Sequence, residues 1–175
     1  MRRKKYKGRY EKRTLTKCQE VVRTYDEIQY SYADVLLMGC NTFDHLAAGF
    51  VDIQRTGEDT SGLDFDRTKK DGVNTLAFRM AQRKTFFFVD ADCVGITNTI
   101  SWDKNKQWLD VLAKSGTPLF MSIADDVDFD NISIDIVDAL KKASENDVVS
   151  KPIDWMESKM PRIWESLYGK DEYDW

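Results

Sequence analysis

Apolar positions along this chain switch repeatedly between two spacings. Cys18, Val21, Val22, Tyr25 and Ile28 recur three and four apart, which places them on one helical face. Thr16, three residues before Gln19, supplies a capping-box pattern at the start of that helix, which is expected to run to about Tyr30. Val35 to Met38 is a continuous apolar run closed by Gly39-Cys40-Asn41, the pattern of a strand buried on both faces. A short small-residue turn or helix, His45 to Gly49, leads into a second strand, Phe50 to Arg55. Val73, Leu76, Ala77 and Met80 form a second helical stripe, and Thr85 to Val89 a third strand ending at Asp90-Ala-Asp92-Cys93. Ser101 is expected to cap a helix whose buried face carries Trp108, Leu109 and Leu112, with Lys114 in its last turn and Gly116 and Pro118 as stops. Pro118 to Ile123 reads as a fourth strand, ending at Ala124-Asp125-Asp126. Ser133 is expected to cap the last helix, with Ile132 and Val137 as its staple and Val137 and Leu140 on its buried face. From Lys151 to Trp175 prolines, aromatics and charges follow no clean period.

Strand and helix thus alternate four times, the pattern of a parallel sheet with helical crossovers. Polar residues gather where the strands end: Cys40 and Asn41, Arg55 and Asp59, Asp90 and Asp92, Ser122 and Asp125. Parallel α/β folds place their sites at this end of the sheet. The fullest such stretch is Phe50 to Gly62, where a strand breaks at Gly57 into a loop holding Arg55, Glu58 and Asp59. An arginine four residues before a carboxylate can orient it, tune its ionisation or hold a substrate hydroxyl. The same stretch also reads as a surface turn with an ion pair, and the spacing does not separate the two.

Composition narrows the chemistry. The chain has 175 residues, 42% apolar and 32% charged, enough for one domain with a real core. No apolar run approaches the ~20 residues of a membrane helix, and Met-Arg-Arg-Lys-Lys opens no secretory signal. Cys18, Cys40 and Cys93 are odd in number and unpatterned, which fits reduced thiols and a cytoplasmic location. A single histidine, His45, argues against histidine-based triads and multi-histidine metal sites. No Gly-x-Gly-x-x-Gly or Walker pattern follows a strand, so no nucleotide cofactor is expected. Residues 1–13 form a basic arm of eight cations against Glu11, read either as a phosphate-binding segment or as a solvated tail. The net charge of −4 makes the rest of the chain acidic, which opposes nucleic acid. The organisation expected is this arm, an α/β domain over 14–150 and an extension over 151–175.

Four motifs occur in one order: Gly39-Cys40-Asn41, Arg55-Thr-Gly-Glu-Asp59-Thr-Ser-Gly62, Asp90-Ala-Asp92-Cys-Val-Gly95 and Thr117-Pro-Leu-Phe-Met-Ser122. Together they resemble the melibiase-like α-galactosidases, the clan D glycoside hydrolases related to family 36. The resemblance runs from about Thr14 to Trp164 and is nearest to the bacterial branch with Arg-x-Gly-Asp-Asp-Thr-Ser-Gly after a strand. It implies the C-terminal half of a (β/α)8 TIM barrel, about four parallel strands with helices, without the family's β-sandwich. Asp59 then matches the catalytic acid/base, and Arg55 the arginine that contacts it and the sugar. Cys40 and Asn41 match the substrate-facing end of the family's fifth strand, and Asp92 and Asp90 the sugar-contacting acids after the seventh.

The strand bearing the family's aspartate nucleophile precedes the matched region. A retaining hydrolase needs two carboxyl groups about 5–5.5 Å apart, one attacking and one protonating the leaving oxygen. The resemblance therefore implies a chain that is inactive alone, with an α-galactoside-type carbohydrate as ligand. Its expected protein partner is either a second copy or a complementing N-terminal barrel half. A non-catalytic carbohydrate-binding or structural remnant is the alternative, and a nucleic-acid-associated protein using the basic arm a third. No cofactor or metal is implied. Trp102, Trp155 and Trp164 are candidates for stacking on sugar faces, whereas Trp108 lies in a helical core stripe. Cys40 has no base placed beside it for a nucleophilic role.

Overall fold

A computed structural model describes residues 15–32, 34–40, 42–59 and 62–175. The basic arm, Asn41, Thr60 and Ser61 lie outside the described residues. Helix α1 (Lys17–Ser31) begins at the expected capping box: the Thr16 hydroxyl accepts from the Gln19 amide, and the Gln19 side chain accepts from the Thr16 amide. Strand β1 (Met38–Gly39) is followed by the one-turn α2 (Asp44–Ala47) and β2 (Ile53–Arg55). A helical run then passes through α3 (Phe65–Arg67), a π-helical segment (Thr68–Val73), α4 (Asn74–Arg79) and a 3-10 turn (Met80–Gln82). Strands β3 (Phe88–Asp90) and β4 (Val94–Ile96) precede α5 (Trp102–Ser115), β5 (Met121–Ile123) and α6 (Ile134–Ser144). The chain ends in β6 (Lys151–Pro152), β7 (Ile163–Ser166) and β8 (Gly169–Glu172).

The fold is α/β with small parallel sheets. Strands β1, β2 and β3 pair in that order, all parallel, with Met38 opposite Ile53 and Ile53 opposite Phe88. Strands β4 and β5 form a second parallel pair, Val94 opposite Met121. Only three residues separate β3 from β4, and among them Asp92 has φ +102°, a backbone region that side chains other than glycine's adopt at a cost. The bend there swings one extended run from pairing with β2 to pairing with β5. Strand β4 was not anticipated from the sequence. Val94-Gly-Ile96 is too short, and too close to the Asp90–Asp92 pair, for its periodicity to register.

Side chains alternate across a strand, so Gln54 and Val89 face one side, where α4 packs. Val73, Leu76, Ala77, Ala91, Val94, Trp108, Leu109 and Leu112 build the core there. Two side chains of α5 satisfy carbonyls of the bent run: Trp108 Nε1 donates to Cys93 O at 3.2 Å and Asn105 Nδ2 to Gly95 O at 2.9 Å. The opposite face carries Met38, Ile53 and Phe88 in one registered row, of which Met38 and Phe88 are exposed and Ile53 is half-buried.

Several local expectations are corrected. The run Val35–Met38 is not a doubly buried strand: Leu36 is 77% exposed, and only Met38 of that run pairs. It lies at an edge, where apolar content alone brings no covering layer. Helix α1 buries only Glu20, and its apolar stripe is half-buried against α2 or exposed. Ser101 precedes α5 but makes no side-chain cap, whereas the Ser133 hydroxyl does accept from Asp135 N. Gly116 ends α5 in the left-handed conformation, as expected. The aperiodic C-terminal stretch is an antiparallel meander, β6-β7-β8, and its Trp164 and Tyr173 join the same core as Trp108.

Candidate functional site

Arg55 ends β2, and the parallel register sets it directly opposite Asp90 at the end of β3. Its Nε donates to Asp90 Oδ2 at 2.5 Å, and its Nη1 to Asp59 Oδ1 at 2.7 Å and Asp92 Oδ1 at 3.2 Å. One guanidinium therefore meets three carboxylates from two strand ends and the loop between them. The Asp90 and Asp92 side chains are 0% and 1% exposed, while Asp59 is 86% exposed. Two buried carboxylates this close require a cation, and Arg55 supplies one. Burial alone would lower the Arg55 pKa, but the hydrogen bond and charge of Asp90, with Asp92 and Asp59, outweigh it and raise the value.

Backbone contacts hold the two described ends of the loop beside this cluster. Thr56 N donates to Asp90 O at 2.8 Å, and Asp92 N to Asp90 Oδ1 at 3.0 Å. At Gly57 an added Cβ would stand 2.3 Å from Ala91 O, and at Gly62, with φ +75°, 2.1 Å from Gly95 O. Both ends of the loop thus lie on the bent run itself, an approach that only glycine permits. Thr97 Oγ1 donates to Gly62 O at 2.7 Å and holds the far end.

Above the cluster opens a polar cleft of about 510 Å3. Cys40, Thr42, Gln54, Arg55, Thr56 and Asp59 form its floor and near wall. Asp44, Glu58, Arg67 and Arg79 close the rim, where Arg67 pairs with Glu58 at 2.8 Å and Arg79 with Asp44. Gln54 is buried, its Oε1 accepting from Thr42 Oγ1 at 2.5 Å. Sequence reasoning missed these rim pairs. Arg67 and Arg79 lie on the helical run 65–82, and only the path of that run brings them to the strand ends. A π-helical segment within a helix is a recurrent mark of functional sites, and the one here lies between these two arginines.

Of the residues singled out from sequence, Arg55, Asp59, Asp90 and Asp92 come together and Cys40 joins them in the cleft wall, while Asn41 lies outside the described residues. Cys40 is a free, exposed thiol. Asp90 and Asp92 sit behind Arg55 and do not line the cleft. Ser122 is near Cys93 Sγ at 3.5 Å, away from Arg55. The tryptophan candidates also move. Trp164 is fully buried, its Nε1 donating to Pro161 O, and so offers no sugar platform. Trp102 donates to Asp135 Oδ2 between α5 and α6, and Trp155 packs edge-on against Phe78. No group of three or more metal-binding side chains occurs among the described residues. No helix among them is long and apolar enough to cross a membrane. No protein-family model and no curated protein matches the chain.

Proposed function

We propose that this chain carries the acid/base side of an α-galactosidase-like retaining glycoside hydrolase site, on strands corresponding to the C-terminal half of a (β/α)8 barrel. The reading is supported above all by Arg55, which touches Asp59, Asp90 and Asp92 at the ends of neighbouring parallel strands. Asp59 is the exposed member, oriented by Arg55 toward the cleft, and takes the acid/base role. Arg55, Cys40 and Thr42 take the ligand's hydroxyls. Asp90 and Asp92 act behind them, holding the guanidinium in place and not gripping the sugar directly.

The nucleophile is a separate requirement. Asp90 and Asp92 are engaged by Arg55 and buried, and Asp44 and Glu58 are each paired with an arginine. None is a carboxylate poised opposite Asp59 to form a glycosyl ester. This favours the second reading, a non-catalytic carbohydrate-binding module, for the chain acting alone. Complementation by a first barrel half, or pairing of two copies, would place a carboxylate opposite Asp59.

The test pairs binding with turnover. D-Galactose titrated by NMR is expected to bind weakly, and Asp59→Asn to weaken it without loss of fold, because Asp59 is exposed. An aryl α-galactoside incubated for hours is expected to remain intact. The absence of any galactose-dependent shift in cleft residues would sink the reading. Turnover abolished by Asp59→Asn would show instead that a carboxylate already present serves as nucleophile.

A further inference from the structure

A second cavity lies at the other end of the sheet, beside the 3-10 turn and the segment leading into β3. It holds about 460 Å3, the size of a small-molecule site. Its walls come from two elements far apart in sequence: Phe78 and Met80 from the end of α4 and the 3-10 turn, and Val149, Pro152 and Trp155 from β6 and its flanks. Phe78 and Trp155 meet edge to face, ring centroids 6.0 Å apart, and both rings remain nearly half exposed. Two aromatic rings held in fixed contact yet left open to water form a ready apolar platform.

The charged groups of this cavity are both cationic, Arg83 and Lys151, and no acidic residue lines it among the described residues. Neither cation is in an ion pair with a described carboxylate: Lys151 stands opposite Glu165 in the β6–β7 register, but Glu165 pairs with Lys170 at 3.6 Å. The Arg55 cleft contrasts with this, since each of its arginines is matched by an acid. The Arg83 guanidinium lies against Gly116 at the end of α5, where an added Cβ would stand 2.6 Å from Nη2. A helix C-terminus favours a nearby cation but does not supply the paired acceptors that a guanidinium fork takes. In a chain of net charge −4, two unmatched cations beside an apolar platform are complementary to one ligand chemistry.

We propose that this cavity binds a small organic carboxylate with an aromatic or branched apolar body. The body lies against Phe78 and Trp155, and the carboxylate accepts from the Arg83 guanidinium and the Lys151 ammonium. The site is independent of the Arg55 cleft and does not rest on the glycosidase reading.

The experiment is calorimetric titration of the full chain with 3-phenylpropionate and, in parallel, with its uncharged amide. Saturable binding of the acid is expected, about tenfold or more tighter than the amide, since charge-assisted hydrogen bonds are what distinguish them. Arg83→Gln and Lys151→Gln are each expected to erase most of that preference, and Trp155→Ala to weaken acid and amide alike. Circular dichroism of each variant separates these effects from unfolding. Equal affinity for acid and amide, no saturable binding of either, or a preference unchanged in both cation variants overturns the proposal. Self-association in sedimentation runs that Trp155→Ala abolishes also overturns it, by assigning the platform to a second copy.

Discussion

Arg55 does two things at once, and they pull in different directions. It faces the cleft as a hydrogen-bond donor, and it neutralises Asp90 and Asp92, whose side chains water does not reach. Removing one partner from a buried ion cluster costs about 3–5 kcal/mol, because the charge left behind has no solvent to return to. Arg55→Ala is therefore expected to destabilise the fold by that amount in urea unfolding. Arg55→Lys should recover only part of it, since an ammonium cannot match the fork that serves Nε and Nη1 together. Asp59→Asn, at an exposed position, should leave the unfolding midpoint nearly unchanged. If Arg55→Ala unfolds at the same urea concentration as the unaltered chain, the two buried carboxylates are stabilised by something other than this arginine. The strained backbone at Asp92 belongs to the same cluster: the residue that bends the strand also supplies its second buried carboxylate.

Among the elements, the joint between the C-terminal meander and α5 is expected to respond to alkaline pH. Tyr173, just after β8, donates its hydroxyl to Asp110 Oδ2 at 2.7 Å. Lys114 reaches Asp110 at 2.8 Å and Asp171 at 3.0 Å. Burial, then the charge and hydrogen bond of Asp110, push the Tyr173 phenol well above its ordinary value of 10.0. Burial would lower Lys114 from its ordinary 10.5, but the hydrogen bonds and charges of Asp110 and Asp171 outweigh it and raise the value. Both groups hold their proton more tightly folded than unfolded. Their contribution is thus complete below about pH 10 and is lost as pH rises beyond it. Unfolding free energy is expected to be level with respect to these groups between pH 7 and 9. It then falls by about 1.4 kcal/mol per pH unit for each group that titrates only on unfolding. Tyr173→Phe should reduce that alkaline slope, and Tyr173→Phe with Lys114→Met should reduce it further. An alkaline slope identical in all three chains would remove this joint as its source.

For the molecule as a whole, the partly exposed apolar row on the sheet has the largest consequence. Met38, Ile53 and Phe88 form an apolar row on it, with Met38 and Phe88 about 40% exposed, and Leu36 and Val35 extend the apolar surface beyond the edge. Strands β1 and β5 each present one edge without a partner among the described residues. Open parallel edges beside exposed apolar side chains recruit further strands. The chain is expected to self-associate at micromolar concentration, as a dimer or larger species, and Phe88→Lys to shift it toward monomer. A single monomeric species by light scattering across that range would show that the face is covered or inert in solution.

The sequence by itself determined the local signals and the chemistry at the strand ends. The Thr16–Gln19 capping box, the Ser133 cap, the Gly116 stop and the core stripe of Val73, Leu76 and Ala77 all rest on contacts within a few residues or on one repeated spacing. For the same reason Arg55, Asp59, Asp90 and Asp92 were legible as candidates, because residues that end successive parallel strands converge without further instruction. What needed the tertiary structure was everything set by distant packing. That Asp90 and Asp92 lie behind Arg55, and not in the cleft, follows from a loop pinned by Gly57 and Gly62 onto the run 91–95. Tertiary packing alone brings Arg67 and Arg79 to the rim, sends Trp164 into the core and closes an aperiodic tail into three antiparallel strands. A periodic pattern states which face of an element is apolar. Whether another element arrives to cover that face depends on the whole chain, as the exposed Leu36 and the buried Trp164 show from opposite sides.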